Sequence, residues 1–392
     1  MKADRKAWAV MLAAFVASIV VAINQFKVPP VMQALMTDLG VDMVTGGWFM
    51  SVISIATLLL AIPSAFLIMR LGFKIAGITA LSCTMIGSLL GALAHDPAVL
   101  LLGRVIEGGG TGLMAITAPA AISAWFEPQD RGLPMGIWAA WVPIGNVIMF
   151  NLAQPLLEVA GWQALWWFGA LLALLALILY GLIVTNPPGT GESEPAPPGS
   201  VGRMLFNPLT WLLAVSFGAF AFSLLGYNTW APSFLITRLD IQPSAANRYA
   251  SLLFLAAIPS NIFAGWLLSR LNNRYRLLPI AFAITSILYV WSFQLANVAV
   301  VMPYMLALGF ASNIIPAATF TLAPETMAHR QFAGLALGIV SVGSSVGALI
   351  GPPILASILR GNNWSVGSIC LVLVMGFGTM VSILAWQRLS KL

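Results

Sequence analysis

Three ionisable side chains interrupt long apolar runs and are the residues best placed to do chemistry. They are Lys27, Arg104 and Glu107. A charged side chain near the centre of an inserted helix costs about 2.5–3.5 kcal/mol, so such residues usually mark a functional site. Arg104 and Glu107 are spaced i, i+3 and can form an ion pair on one helix face. Lys27 shares a face with Asn24, and it either binds an anionic group or extends its long stem to the outer interface.

The charge balance of these residues suggests what they bind. Two cations against one carboxylate favour an anionic ligand over a cationic one. We therefore expect Lys27, Asn24 and Arg104 to bind substrate, and Glu107 to carry a coupling proton. A purely structural ion pair between Arg104 and Glu107 is the alternative.

Composition excludes several classes of protein. Of the 392 residues, 60% are hydrophobic and only 8% are charged, whereas a soluble domain has roughly 25% charged residues. Most of the outer surface must therefore face a lipid bilayer. The net charge is +6, but the bases lie in short loops without a basic patch interleaved with aromatics, so no nucleic-acid partner is expected. The histidines, His95 and His329, lie in separate predicted loops, and no catalytic, metal-binding or cofactor motif is found.

Twelve apolar segments are long enough to cross a membrane as helices. They are 7–36, 44–69, 75–94, 98–125, 132–157, 162–185, 207–236, 246–269, 277–296, 298–326, 332–359 and 364–387. The stretch 186–206 is rich in Pro, Gly and acid and is typical of a flexible linker. Lys and Arg concentrate in the loops on the side of the two termini, which predicts cytoplasmic termini. Tryptophans near the span ends, among them Trp166, are interpreted as interface anchors.

The two halves of the chain are similar at an offset of about 202 positions. Gly132-Leu133-Pro134-Met135-Gly136-Ile137 corresponds to Gly334-Leu335-Ala336-Leu337-Gly338-Ile339, and Trp162 corresponds to Trp364. A repeat of this length in an apolar chain is typical of secondary transporters, whose two halves move about a substrate site. The pattern predicts two domains, 1–185 and 207–392, joined by the cytoplasmic linker 186–206.

Several motifs resemble those of the major facilitator superfamily. Gly103-Arg104 and the glycines that follow, through Gly112, resemble the family's Arg-x-x-x-Gly-x-Gly motif, and Gly351-Pro352-Pro353 resembles its kinked Gly-Pro helix. The resemblance covers the whole chain. It implies an all-α membrane fold of twelve helices in two pseudo-symmetric six-helix bundles, a working monomer and no enzymatic activity. The run from Trp125 to Asn146 also resembles cyanate and nitrate permease-like branches, and a basic residue in the first span resembles members that transport organic anions.

The family's charged loop after the second span is altered here. Met69-Arg70-Leu71-Gly72 keeps the base and the glycine, but Met69 stands where the family has an acid, and Ser269-Arg270 in the second half also lacks it. In the family this loop helps to lock the cytoplasmic gate. Arg70 and Arg270 could instead pair with Glu127 and Glu325; simple positive anchors are the alternative.

Polar residues in the spans that line the cavity of this fold complete the candidate site. A polar side chain in a span requires a hydrogen-bond partner, a water or a substrate. The candidates for substrate binding are Asn146, Tyr227, Asn228, Asn261 and Asn313.

The leading hypothesis is a secondary active transporter that moves a small polar, anionic solute by alternating access across a bacterial inner membrane. Proton symport, uniport and anion exchange stay open. The first alternative is a proton-driven exporter of lipophilic compounds, for which the 17 Met residues would suit a loose apolar pocket. The second is a polytopic membrane enzyme or a sensor.

Overall fold

The computed structural model describes residues 5–60, 63–127, 130–185, 205–271, 273–327 and 333–389, which form helices and connecting turns without any strand. Residues 186–204 of the predicted linker lie outside these ranges. The first nine helices are α1 Arg5–Gln25, α2 Met32–Asp38, α3 Met43–Ser51, α4 Ile53–Leu60, α5 Pro63–Ala92, α6 Pro97–Trp125, α7 Gly132–Trp138, α8 Trp141–Ala160 and α9 Gln163–Ile183. The helices that follow are α10 Pro208–Leu239, α11 Pro243–Leu255, α12 Ala257–Arg270, α13 Leu277–Tyr289, α14 Val301–Leu322, α15 Ala333–Leu359 and α16 Trp364–Leu389.

The predicted membrane-spanning architecture is confirmed, with one span shorter than expected. Among the described residues, 11 helical segments are long and apolar enough to cross a membrane. The predicted ninth span, 277–296, is represented by the shorter apolar helix α13. The predicted second and third spans are separated at Gly72, where α5 bends: φ is 74° and ψ is 171°, a conformation that favours glycine.

Prolines divide two of the predicted spans into shorter helices. The break between α7 and α8 falls at Ala139 and Ala140, and Pro143 lies four residues after Ala139. The break between α11 and α12 falls at Ala256, and Pro259 lies four residues after Leu255. Proline has no N–H, and its ring collides with the carbonyl of residue i−4. The sequence pattern alone predicts each of these spans as one continuous helix.

The described helices form two compact units. The first unit comprises Met1–Asp42 and Val52–Glu194, and the second comprises Met43–Ser51 and Pro195–Leu392. Helix α3 therefore packs with the second unit, where it crosses α15 closely enough that a β-carbon on Gly47 would overlap the backbone of Pro352 and Pro353.

The two units repeat the same internal packing. In the first unit α1 packs on α6, α8 and α9; in the second unit its counterpart α10 packs on α14, α15 and α16. Single residues correspond as well. Gly108 approaches the backbone of Ile53 in the first unit, as Gly309 approaches that of Leu253 in the second. The pseudo-symmetry that the sequence predicts is therefore present in the packing of each unit.

Candidate functional site

The end of α1 creates the first part of the site. Helix α1 stops at Gln25, ahead of Pro29 and Pro30, because proline cannot supply the N–H that would continue the helix. The last carbonyls of a helix lack intrahelical partners and carry the negative end of its dipole. Arg104 of α6 caps them: Nη1 donates to the carbonyl of Asn24 and Nη2 to that of Gln25, each at 2.8 Å.

The same guanidinium pairs with Glu107, one turn along α6. Arg104 Nη1 donates to Glu107 Oε2 at 2.6 Å, which confirms the predicted i, i+3 ion pair. The other carboxylate oxygen, Oε1, accepts from Lys27 Nζ at 2.5 Å. Glu107 therefore holds two cations at once, one from its own helix and one from the segment that follows α1.

The ammonium of Lys27 has three oxygen partners. Besides Glu107 Oε1, Nζ donates to Asn24 Oδ1 at 2.9 Å and to Ser88 Oγ at 2.7 Å. An ammonium has three N–H groups, so this set uses all of them. Lys27 and Arg104 are 0% exposed and Glu107 is 1% exposed. We name Lys27, Arg104 and Glu107 the charged cluster. Its lysine points into the unit rather than snorkelling outward.

Two residues of the site are absent from the sequence-based candidates. Ser88 lies in the apolar run of α5, and Trp166 of α9 presents its ring 4.6 Å from Lys27 Nζ in a cation–π contact. The interpretation of Trp166 as an interface anchor is wrong, since its side chain is 0% exposed. The helical offset of Asn24 could signal its contact with Lys27, but no local pattern connects Ser88 or Trp166 with a lysine so distant in sequence.

A glycine on α9 makes room for this arrangement. Asn24 Nδ2 donates to the carbonyls of Val20 and Gly169, at 3.0 and 3.2 Å. A β-carbon on Gly169 would collide with Asn24 Oδ1 and would lie 2.9 Å from Ser88 Oγ. Only glycine at this position lets α9 come close enough for the amide and the hydroxyl to face the lysine.

The predicted substrate-binding amides fall into two groups. Asn24 is fully engaged in the first unit, and Asn313 donates to the carbonyl of Gly309 within its own helix at 2.8 Å. By contrast, Asn146 on α8 and Asn228 on α10 are 0% and 1% exposed. In both residues, Oδ1 and Nδ2 have no hydrogen-bond partner among the described residues. Such orphaned buried groups are rare and costly, so these two amides are open to a ligand or a water.

The other two predicted substrate residues are held differently. Tyr227 is buried in the second unit, and its hydroxyl donates to the Sδ of Met305 at 3.6 Å. Asn261 lies on α12 and is half-buried.

The charged cluster has an uncharged counterpart in the second unit. Thr84 and Thr285 occupy equivalent positions on α5 and α13. The hydroxyl of each donates a hydrogen bond to the backbone carbonyl four residues earlier in its helix. Thr84 and Thr285 are 201 positions apart. At the same offset Ser88 matches Tyr289, and Arg104 and Glu107 match Met305 and Leu308. All three matching residues are buried. Ionic chemistry at this position is therefore confined to the first unit.

Among the predicted gating residues, Arg70 lies within α5 two residues before the bend at Gly72, and Arg270 is the last residue of α12. Glu127 and Glu325 follow the ends of α6 and α14. Arg270 stacks on the ring of Trp266 at 5.1 Å, and Glu325 accepts from the hydroxyl of Tyr275 at 3.2 Å. Arg70 and Glu127 are exposed. A gating role for these four residues stays a prediction.

The chain is similar in sequence and in fold to proteins of one known family. The sequence model of the Major Facilitator Superfamily matches residues 10–352. The solved structure of a bacterial homolog of the human lysosomal transporter Spinster, in an inward-facing and occupied conformation, superposes with a TM-score of 0.82 at 17% identity over 97% of both chains.

Curated relatives agree with this class. The uncharacterized MFS-type transporter YhcA of Bacillus subtilis is 27% identical over 40% of this chain, a match that spans only 30% of that relative's length. The 3-(3-hydroxy-phenyl)propionate transporter of Escherichia coli is 25% identical over 83% of this chain and 80% of its own. The chain belongs to the Major Facilitator Superfamily, and the family and structural neighbours it resembles are transporters rather than enzymes.

Proposed function

We propose that this protein is a proton-coupled secondary transporter of a small organic anion. The observation that carries the proposal is the charged cluster, in which one buried carboxylate is shared by two buried cations. A buried ion pair adds little stability compared with well-packed apolar residues, so its presence in an apolar unit calls for a role beyond holding the helices together.

The cluster couples a proton to helix packing. Glu107 holds Lys27 with one oxygen and Arg104 with the other, at 2.5 and 2.6 Å. A proton on Glu107 would cancel both attractions and leave two cations close together in a medium of low dielectric, where their repulsion is strong. Protonation would therefore loosen α1 from α6, and deprotonation would restore their contact. This dependence is what a carrier that exchanges protons during its cycle requires.

Charge also selects the solute. With all three groups ionised the cluster keeps a net positive charge, which attracts an anion. The E. coli relative is named for a propionate, that is, a carboxylate, and this supports the same class of solute here. Within each unit the unpartnered amide, Asn146 or Asn228, is the group with free hydrogen-bonding capacity to bind it.

The proposal includes the placement of the protein. Following the sequence-based expectation, we propose a working monomer in a bacterial inner membrane with both termini in the cytoplasm. Fusion of a periplasm-dependent reporter enzyme and of a fluorescent protein to the C-terminus tests the orientation. Activity of the periplasmic reporter at that end would overturn it.

Thermal unfolding against a panel of solutes tests the proposed solute class. Purified protein is heated with carboxylates, sulfonates, sugars or lipophilic cations. A solute at about 100 times its Kd adds about 2.7 kcal/mol of stability, which is readily measured. We expect small carboxylates to shift the curve and, in proteoliposomes, to be taken up faster under an inward proton gradient. If only lipophilic cations shift it, the protein is an exporter of lipophilic compounds and the proposal fails.

A further inference from the structure

The surroundings of the Lys27 ammonium form an oxygen cage. Four structural elements contribute to it: α1 supplies Asn24 Oδ1, α5 supplies Ser88 Oγ, α6 supplies Glu107 Oε1, and α9 supplies the ring of Trp166. The three oxygens lie 2.5–2.9 Å from Nζ, within the range of charge-assisted hydrogen bonds.

The cage is oriented by its own hydrogen bonds. Ser88 Oγ donates to the carbonyl of Trp166 at 2.7 Å, so its lone pairs are left for the ammonium. Asn24 uses its Nδ2 on two backbone carbonyls, which turns its Oδ1 toward Lys27. These bonds do not involve the lysine, so they can persist without it.

We propose that this cage is a binding site for a small monovalent cation, which the wild-type chain fills with its own lysine. A carboxylate, an amide oxygen and a hydroxyl are hard oxygen ligands of the kind that alkali and ammonium ions take, and an aromatic face adds attraction for a cation. The cage has one carboxylate, Glu107, which already shares its negative charge with Arg104, so it disfavours a divalent ion.

A tethered ammonium cannot leave or be exchanged, so the wild-type protein needs no sodium or potassium at this position. Removal of the lysine side chain beyond Cβ, as in Lys27→Ala, should expose the site to free cations. Ammonium and methylammonium should bind best, because they reproduce the N–H donors that the cage accepts.

The test is the thermal unfolding of purified Lys27→Ala in ammonium, methylammonium or tetramethylammonium chloride at equal ionic strength. We expect a saturable rise in Tm with the first two salts and none with tetramethylammonium, which carries the same charge but no N–H. Wild type, Lys27→Met, in which an apolar chain fills the space, and the double variant Lys27→Ala/Glu107→Gln should not respond. Equal shifts with all three salts, or no shift, would overturn the proposal.

Poor folding of the variant does not remove the test. Lys27→Ala and the more polar Lys27→Ser are then extracted and purified entirely in ammonium chloride or entirely in tetramethylammonium chloride. Recovery of monodisperse protein only in ammonium supports the site. Equal recovery, or loss in both salts, argues against it. The readout is stability alone, so it does not depend on the identity of the transported solute.

Discussion

The ammonium of Lys27 lies 2.5 Å from Oε1 of Glu107, although 80 positions separate the two residues in the chain. Because the second oxygen of Glu107 holds Arg104, and Arg104 caps the end of α1, this contact closes a ring of interactions between α1 and α6. Substitution of Lys27, Glu107 or Arg104 should therefore weaken the contact between α1 and α6.

Glu107→Gln should abolish the pH dependence of transport. The amide cannot gain or lose a proton, so the ring would no longer respond to pH. Uptake into proteoliposomes, measured from acidic to alkaline buffers, should give a flat profile. Glu158→Gln on α8, whose carboxylate is exposed and bonded to Gln154, is the matched control and should keep the wild-type profile. An unchanged profile in Glu107→Gln would place the coupling group elsewhere.

Lys27→Gln should weaken solute binding, because the cluster loses the positive charge that attracts an anion, and should lower stability. Removing one partner of a buried ion pair typically costs about 3–5 kcal/mol, and here the loss also removes the Lys27 donor from Ser88 Oγ and from Glu107 Oε1. Tm and the solute-induced shift in Tm are the measurements. Lys6→Gln, at an exposed position near the start of α1, should preserve the solute-induced shift and lower Tm only slightly, because it removes one exposed cation–π contact with Trp125. Wild-type affinity in Lys27→Gln would show that the lysine does not contribute to solute binding.

Gly169→Ala should destabilise the protein although it adds a single methyl group. The new β-carbon would collide with the Asn24 amide and press on Ser88, and overpacking of this kind costs about 1–3 kcal/mol. Gly181→Ala on the same helix is the control, since its β-carbon would meet only Ile78 at 3.8 Å, an ordinary contact. The measurement is the Tm of the Gly169→Ala and Gly181→Ala variants. Equal Tm values would mean that α9 can shift away from Asn24.

Asn146→Leu and Asn228→Leu should raise stability and reduce transport. Each replaces an unpartnered buried amide with an apolar side chain of similar size, which removes a desolvation penalty of about 1–3 kcal/mol. If the amides bind the solute, its affinity should fall in the same variants. Asn313→Leu is the control, because it breaks a hydrogen bond and should lower Tm. Tm and solute affinity are measured together, and full affinity in both test variants would remove the amides from the binding site.

The amino-acid sequence alone determined the class of this protein, because lipid exposure, span length and an internal repeat are properties of composition and periodicity. Low charge and long apolar runs predict the membrane spans, and the correspondence of Trp162 with Trp364 predicts two similar halves. The pair of Arg104 with Glu107 also follows from sequence, since i, i+3 spacing on a helix fixes their proximity.

The tertiary structure decided what Lys27 does, because its partners come from distant segments that meet only when α1, α5, α6 and α9 pack. From sequence, Ser88 is one of many hydroxyls in spans, and Trp166 is predicted to be an interface anchor. Both contact Lys27 only because Gly169 lets α9 approach Asn24. The same holds for the amides: helix periodicity places Asn146, Asn228 and Asn313 in spans, but only the packed structure separates the satisfied Asn313 from the two without partners. Long-range packing, which no local pattern encodes, accounts for each of these differences.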